Sequence, residues 1–225
     1  MNITKRLQEA DPTLKRHNEG HWDEPYIEVP GTGTVAYSSF NDAGVEIEVG
    51  EFLYAMIRVL KPNHVLETGT HWGIGAAYMG QALKDNFSGH LDTIEFLPEI
   101  WAKANVRMGI LQLKKHVTCH LMDVRAFDSK DKYQFIFLDT EPQTRFEELI
   151  KFYDSLEPGG FVFIHDLHRH MHQIPNKDHG FAWPYGVLPE KIKKLVKDGW
   201  LRPMHFPTPR GLTGFYKPHI DDYDF

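Results

Sequence analysis

The stretch VLETGTHWGIG, residues 65–75, sets a carboxylate, Glu67, directly before a turn that contains Gly69, Thr70, His71, Gly73 and Gly75. The glycines are spaced G-x-x-x-G-x-G. A dinucleotide fingerprint is G-x-G-x-x-G, and His71 stands where its second glycine belongs. A pyrophosphate is held by backbone N–H groups at a helix N-terminus, and a carboxylate at Glu67 repels it. The same carboxylate attracts a cation. Further acids follow: Glu95, twenty positions after Gly75, then Asp123 beside Val124, Asp139 and Asp166. Five of the fourteen histidines lie between 165 and 179, His165 and His168 among them. Imidazoles beside carboxylates suit proton transfer near neutral pH, or metal ligation.

These residues need strand ends to hold them, and the hydrophobic pattern supplies such ends. Val49, Phe52, Leu53, Met56, Ile57 and Leu60 recur at helical spacing, ended by Lys61-Pro62-Asn63. His64–Glu67 predicts a buried strand, Gly73–Phe87 a helix and Leu91–Glu95 a second strand. Pro98 suits the first turn of a helix whose apolar face is Trp101, Ala104, Met108 and Leu111. Val117–Met122, Phe135–Leu138 and Phe161–Ile164 predict three more strands. Thr144 with Glu147 reads as a capping box opening a helix with Phe146, Leu149, Ile150 and Tyr153. Glu157-Pro158-Gly159-Gly160 reads as a turn. Pro189 opens a helix with Leu188, Ile192, Leu195 and Val196 on one face. Trp200–Phe206 and Leu212–Tyr216 then read as two strands of a hairpin. Strands alternating with helices predict parallel βαβ units, and strands without polar alternation predict a sheet covered on both faces. Residues 1–44 and 166–187 lie outside the alternation. They are candidate lids over the carboxyl ends of the strands, where open α/β sheets bind ligands. The aromatics of HWDEPY at 21–26, Tyr37, Phe40 and FAWPYG at 181–186 either close over a ligand or pack. The tail DDYDF is expected to be a disordered end.

The 225 residues suffice for one sizeable core. A net charge of −6 argues against a general nucleic-acid binder. No apolar run approaches the ~20 residues that span a bilayer, and the first twenty residues are too polar for a signal peptide. The single cysteine, Cys119, forms no internal disulfide. A cytoplasmic protein is the expectation, with no membrane or nucleic-acid partner and with oligomeric state open, a homodimer included.

A cation-seeking acid beside a glycine turn suits S-adenosylmethionine (SAM), which carries a sulfonium and an ammonium beside a single carboxylate. Glu95 stands where Rossmann-like sheets hold an acid that accepts from ribose hydroxyls. The ordered set E-T-G-T-H-W-G at 67–73, I-E-F at 94–96, M-D-V at 122–124, F-L-D at 137–139 and P-G-G-F-V-F-I-H-D at 158–166 resembles the class I SAM-dependent methyltransferases. The resemblance covers about Glu46 to Tyr216. It implies an α/β, Rossmann-like, doubly wound sheet of seven strands, mostly parallel, with Leu212–Tyr216 slipping antiparallel between its neighbours. It implies one domain over 1–225, with 1–44 as an N-terminal lid extension and 166–187 as an insertion over the site. It also implies that Glu67 serves the methionine ammonium, that Gly69, Thr70, His71, Gly73 and Gly75 give close backbone approach, that Glu95 holds the ribose and Phe96 an adenine face, and that Asp123 and Val124 meet the adenine edge.

FLDTEP at 137–142 and IHDLH at 164–168 resemble the metal-assisted small-molecule O-methyltransferases that act on catechols and macrolide sugars. That branch holds magnesium with one acid after the fourth strand and an acid plus a neighbour after the fifth, so Asp139, Asp166 and His165 are candidate ligands. Two departures matter. Neither His165 nor Leu167 supplies a third hard oxygen, and Pro142 stands where that branch often has its base. The metal-free alternative gives Asp139 a direct role and His168 the hydroxyl proton. The expected acceptor is a small-molecule hydroxyl, on a sugar or a phenol. Competing readings are a non-catalytic SAM-fold binding protein and an NAD(P)-dependent oxidoreductase, the latter opposed by the glycine spacing and Glu67. The N/D-P-P-Y/F motif usual for nitrogen transfer is absent; the chain reads D-T-E-P.

Overall fold

Strands that are apolar on both faces must be covered on both faces, and the chain meets that demand with a central sheet. The structure is a computed structural model. It describes residues 2–15, 17–18, 28–29, 33–34, 38–40, 44–129, 131–141, 144–166, 190–206 and 211–219. Strands β1 (His64–Thr68), β2 (His90–Glu95), β3 (Val117–Leu121), β4 (Tyr133–Leu138), β5 (Leu156–His165), β6 (Arg202–Phe206) and β7 (Leu212–Tyr216) form a seven-stranded sheet. Their order is β6-β7-β5-β4-β1-β2-β3. β2 runs parallel to β1 and β3, and β5 parallel to β4. β7 lies between β5 and β6 and is antiparallel to both, as the hairpin pattern predicts. Contacts divide the chain into two compact units, residues 1–128 and 129–225. Among the described residues no helix is long and apolar enough to cross a membrane.

The first unit carries α1 (Ile3–Ala10), α2 (Ile47–Leu60), α3 (Ile74–Asn86) and α4 (Pro98–Ile110). α3 starts after Gly73 and stops at Phe87, and both flanking residues are left-handed. Ala76, Ala77, Tyr78, Met79, Ala82 and Leu83 are all buried, so α3 is enclosed rather than amphipathic. Gly50 of α2 makes room for this: a Cβ there would lie 2.4 Å from the Tyr78 ring. Phe40 stacks on the same ring at 6.4 Å and is buried, so it packs in the core.

The beginning of the chain docks on these helices. Asn2 caps α1 by accepting from the Thr4 and Lys5 N–H groups. The Thr4 hydroxyl donates to Glu51 at 2.6 Å and lies 2.8 Å from the Tyr78 hydroxyl. Thr4 has one proton, already given to the acid, so Tyr78 donates to Thr4. Arg6 forks onto Asp85 at 2.6 and 2.9 Å, and Tyr54 and Gln81 donate to the same carboxylate.

In the second unit the core is aromatic. Phe135, Phe137, Phe163 and Phe215 are fully buried, with Phe135 and Phe163 5.3 Å apart and Phe163 and Phe206 6.0 Å apart. Two helices, α5 (Arg145–Phe152) and α6 (Glu190–Lys197), complete this unit. Two expectations fail here. Glu157-Pro158-Gly159-Gly160 is not a free turn but the irregular start of β5, with a register shift opposite Tyr133 and Phe135. Gly159, at φ 82, donates to the Lys217 carbonyl and Lys217 donates back to the Gly160 carbonyl, so the chain's later segment recruits this stretch into the sheet. The capping box is not made either. Thr144 has helical dihedrals and no side-chain cap bond; its hydroxyl donates to the Glu141 carbonyl at 2.7 Å instead. Pro189, Leu188 and the 207–210 link of the hairpin lie outside the described residues.

Asp85 ties α1 to α2 and α3, and its ionisation should be visible in stability. Burial alone raises its pKa, but hydrogen bonds from Arg6, Tyr54 and Gln81 outweigh that and bring it to about 2. A depressed carboxyl stabilises the folded state fully above its ordinary value of 3.8 and loses that contribution as pH falls towards 2. Urea unfolding should show Asp85→Asn less stable than wild type by about 1.5–3 kcal/mol at pH 7. The gap should narrow as pH drops from 4 towards 2.

Candidate functional site

The turn after β1 is built from three backbone requirements. Gly69 and Gly73 take φ of 80 and 76, a left-handed conformation that costs glycine nothing. Their neighbours close the turn: the Gly69 and Thr70 N–H groups both donate to the Ile94 carbonyl, and the Gly73 N–H donates to the Thr70 carbonyl. A Cβ on Gly73 would stand 3.2 Å from Met108 and 3.3 Å from Ala104, so α4 packs closely against the turn at this glycine. Gly75 is buried in the first turn of α3.

Glu67 at the end of β1 is 1% exposed. Its Oε2 accepts the Thr93 hydroxyl at 2.5 Å, and Thr93 lies 2.5 Å from the Thr70 hydroxyl. Thr93 has a single proton. With that proton on Glu67, Thr70 donates to Thr93, and the relay has one direction. Glu95 accepts from three backbone N–H groups: His71 on Oε2 at 2.9 Å, Phe96 and Leu97 on Oε1 at 3.0 Å each. The carboxylate expected at the second strand end therefore also clamps the glycine turn to β2. His71, at φ 47, supplies its N–H to Glu95 and stacks its ring on Trp72 at 5.4 Å. Phe96 is 60% exposed, an open aromatic face. Asp123 caps a short 3-10 turn, Val124–Ala126, and pairs with the Arg125 guanidinium. Cys119 is no nucleophile, since burial and then the nearby Glu67 charge push its thiol up to about 12.

Sequence reading missed a second clamp on this turn. Arg107 of α4 donates to the Trp72 carbonyl and, through Nε at 2.9 Å, to Asp11, which is 1% exposed. Burial alone raises the Asp11 pKa, but hydrogen bonds from Thr13 and Arg107 outweigh it and hold the carboxyl below the usual range. The chain's beginning thus reaches the glycine turn through one guanidinium. Arg107 sits three positions after Ala104 and one before Met108, close to the buried face of α4, and that spacing was the available signal.

The second unit brings together Asp139 after β4 and His165 and Asp166 at the end of β5. One ligand atom from each lies within 4.8 Å of the others. His165 is 0% exposed and its Nδ1 lies 2.9 Å from Asp139 Oδ1. A carboxylate only accepts, so Nδ1 carries the proton. Asp166 takes φ 54, a strained value for a non-glycine residue. Arg145, absent from the sequence expectations, enters this cluster with a side chain only 4% exposed. Its Nη2 lies 3.1 Å from Asp139 Oδ1 and 3.2 Å from Asp166 Oδ2. The donor set resembles a metal centre, but it does not fit a divalent ion as it stands. His165 Nδ1 is committed to Asp139, and a fixed guanidinium already faces both carboxylates. The helical spacing Arg145, Glu148, Leu149, Phe152 marks Arg145 as inward-facing, because all four are buried. His168, expected as the base, and Pro142 lie outside the described residues, as do HWDEPY at 21–26, Tyr37 and all of 167–187.

Residues 66–167 match a family model described as a methyltransferase domain. That stretch runs from β1 through β5 and includes the glycine turn, Glu95 and the Asp139, His165 and Asp166 positions. Among solved structures the chain resembles the O-methyltransferase TomG of Streptomyces achromogenes, solved with SAM, at 16% identity and TM-score 0.66, covering 97% of this chain and 91% of that one. The SAH-bound methyltransferase PaMTH1 of Podospora anserina matches at 15% identity and TM-score 0.67, over 79% and 81% of the two chains. An O-methyltransferase of Bacillus cereus with SAH matches at 15% and 0.64, over 79% and 84%. At these identities the likeness shows a shared fold. No curated protein matches the sequence.

The Thr93 bridge gives this turn a testable weak point. Thr93→Val removes the only proton that Thr93 can give to buried Glu67, and should destabilise the fold by about 1–3 kcal/mol. Thr93→Ser keeps the proton and should recover most of the loss. Urea titrations of the three proteins check both expectations.

Proposed function

We propose that this protein transfers a methyl group from SAM to a hydroxyl oxygen of a small molecule, a sugar or a phenol. The observation that carries the reading is the buried, Thr93-braced carboxylate of Glu67 at a glycine turn. A carboxylate there opposes a diphosphate and favours a cationic amino group. In this reading Glu67 takes the methionine ammonium, and Gly69, Thr70, His71, Gly73 and Gly75 let the backbone come close. Glu95 accepts from ribose hydroxyls with the lone pairs its three N–H partners leave. Exposed Phe96 covers an adenine face, and Asp123 and Val124 meet its edge. Bound SAM supplies a methyl group made electrophilic by the sulfonium.

The acceptor's proton falls to Asp139. Its side chain is 17% exposed, whereas His165 is fully buried, so Asp139 has the reach and His165 orients it through Nδ1–H. As the hydroxyl oxygen forms its bond to the methyl carbon, the O–H proton passes to the Asp139 carboxylate and the sulfur keeps the electron pair of the broken S–C bond. Residues 1–225 act as one methyltransferase domain, with lids drawn from 1–44 and 166–187. His168 is the second candidate for the proton, in keeping with the five histidines between 165 and 179.

Calorimetry should show SAH binding and no NAD binding; the reverse result removes the cofactor assignment. Glu95→Ala should weaken SAH by about 1.5–3 kcal/mol, roughly 10- to 150-fold. With labelled SAM and a panel of sugars and phenols, Asp139→Asn should slow transfer by about 10²–10⁴. Unchanged transfer in Asp139→Asn with loss in His168→Ala would move the proton to His168.

A further inference from the structure

Two carboxylates that converge at strand ends need a positive partner, and the chain already has one in place. Arg145 is anchored at two points besides the acids' own pull. Nε donates to the Thr140 carbonyl at 2.7 Å, Nη1 donates to the His165 carbonyl, and the guanidinium plane is thereby fixed between β4 and β5. Nη2 then lies within 3.2 Å of both Asp139 and Asp166. The anchoring extends outward: the Thr140 hydroxyl donates to buried Glu148, one turn along α5 from Arg145. A guanidinium with five donors and a permanent charge is suited to a half-buried pair of carboxylates. A divalent ion seeking Asp139 and Asp166 would have to displace a side chain that backbone carbonyls hold on one edge.

We propose that Arg145 is the resident cation of this centre, a positioning residue that holds Asp139 and Asp166 aligned so that acceptor deprotonation runs without a divalent metal. The proposal rests on Asp139 being the acceptor end of the methyl-transfer reading. It assigns to one side chain what related centres assign to an ion, and it makes metal exclusion a property of the sequence at position 145.

Electron paramagnetic resonance of Mn²⁺ decides the matter without a known acceptor. Wild-type protein saturated with SAH should leave the free Mn²⁺ signal unchanged at equimolar ion. Arg145→Met removes the guanidinium and leaves the acids, so it should bind Mn²⁺ at least about tenfold more tightly than wild type and gain thermal stability when Mn²⁺ is added. Adding Asp139→Asn to that variant should abolish both gains. Arg145→Lys, which keeps a charge, should exclude Mn²⁺ as wild type does. Stoichiometric Mn²⁺ binding by wild type, lost in Asp139→Asn, overturns the proposal. So does an Arg145→Met protein that binds SAH but takes up no more Mn²⁺ than wild type. Should Arg145→Met not fold, the wild-type titration decides alone. SAH binding measured on the same samples keeps the two ideas apart, because its absence in wild type counts against the methyl-transfer reading and not against metal exclusion.

Discussion

Burying a charged group costs several kcal/mol unless donors or counter-charges meet it, and this chain buries carboxylates next to its strand ends. Glu67 and Asp11 are each 1% exposed, Glu148 is 3% and Glu95 is 7%. Their partners are of three kinds: a threonine hydroxyl each for Glu67 and Glu148, an arginine with a threonine for Asp11, and backbone amides for Glu95. The local backbone follows from those partners. The glycine turn holds its shape because Glu95 and Arg107 bind its N–H and carbonyl groups from opposite polarities. The loop after β4 is tied down where Arg145 donates to the Thr140 and His165 carbonyls.

Both clamps use arginine, and the reason is geometric. A guanidinium presents donors along a rigid edge, so one side chain can serve a backbone carbonyl and a carboxylate together. Arg107 does this for the Trp72 carbonyl and Asp11, and Arg145 for two carbonyls and two acids. Lysine's single ammonium cannot hold that many partners at fixed angles. The two units thus use the same device for different ends, one to steady a turn and the other to neutralise a pair of acids.

The elements were legible in the sequence wherever burial alone set them. α3 was bracketed correctly by Gly73 and Phe87, and β7 was expected antiparallel between its neighbours. Asp139 and Asp166 do approach one another, as their places at consecutive strand ends imply, whereas His168, the expected base, lies outside the described residues. What failed were features decided by distant partners. Pro158-Gly159-Gly160 carries every local signal of a turn, yet the Lys217 backbone pairs with it and makes it strand. Thr144 carries the signal of a helix cap, yet its hydroxyl goes to the Glu141 carbonyl. Arg145 and Arg107 were invisible as functional residues because a motif search looks for acids, glycines and histidines, while an inward-facing arginine shows only as a charge on an apolar helical stripe.

The place of β7 has a consequence for synthesis on the ribosome. β5 pairs with β4 on one side and with β7 on the other, and β7 is made some fifty residues after β5. Until Leu212–Tyr216 emerges, β5 presents an open edge of Phe161, Val162, Phe163 and Ile164, an apolar row able to pair with any passing strand. Gly214, whose missing side chain admits the Phe163 ring, belongs to the strand that closes that edge. The nascent chain is therefore most exposed to misassembly during the interval in which residues 167–211 are being made.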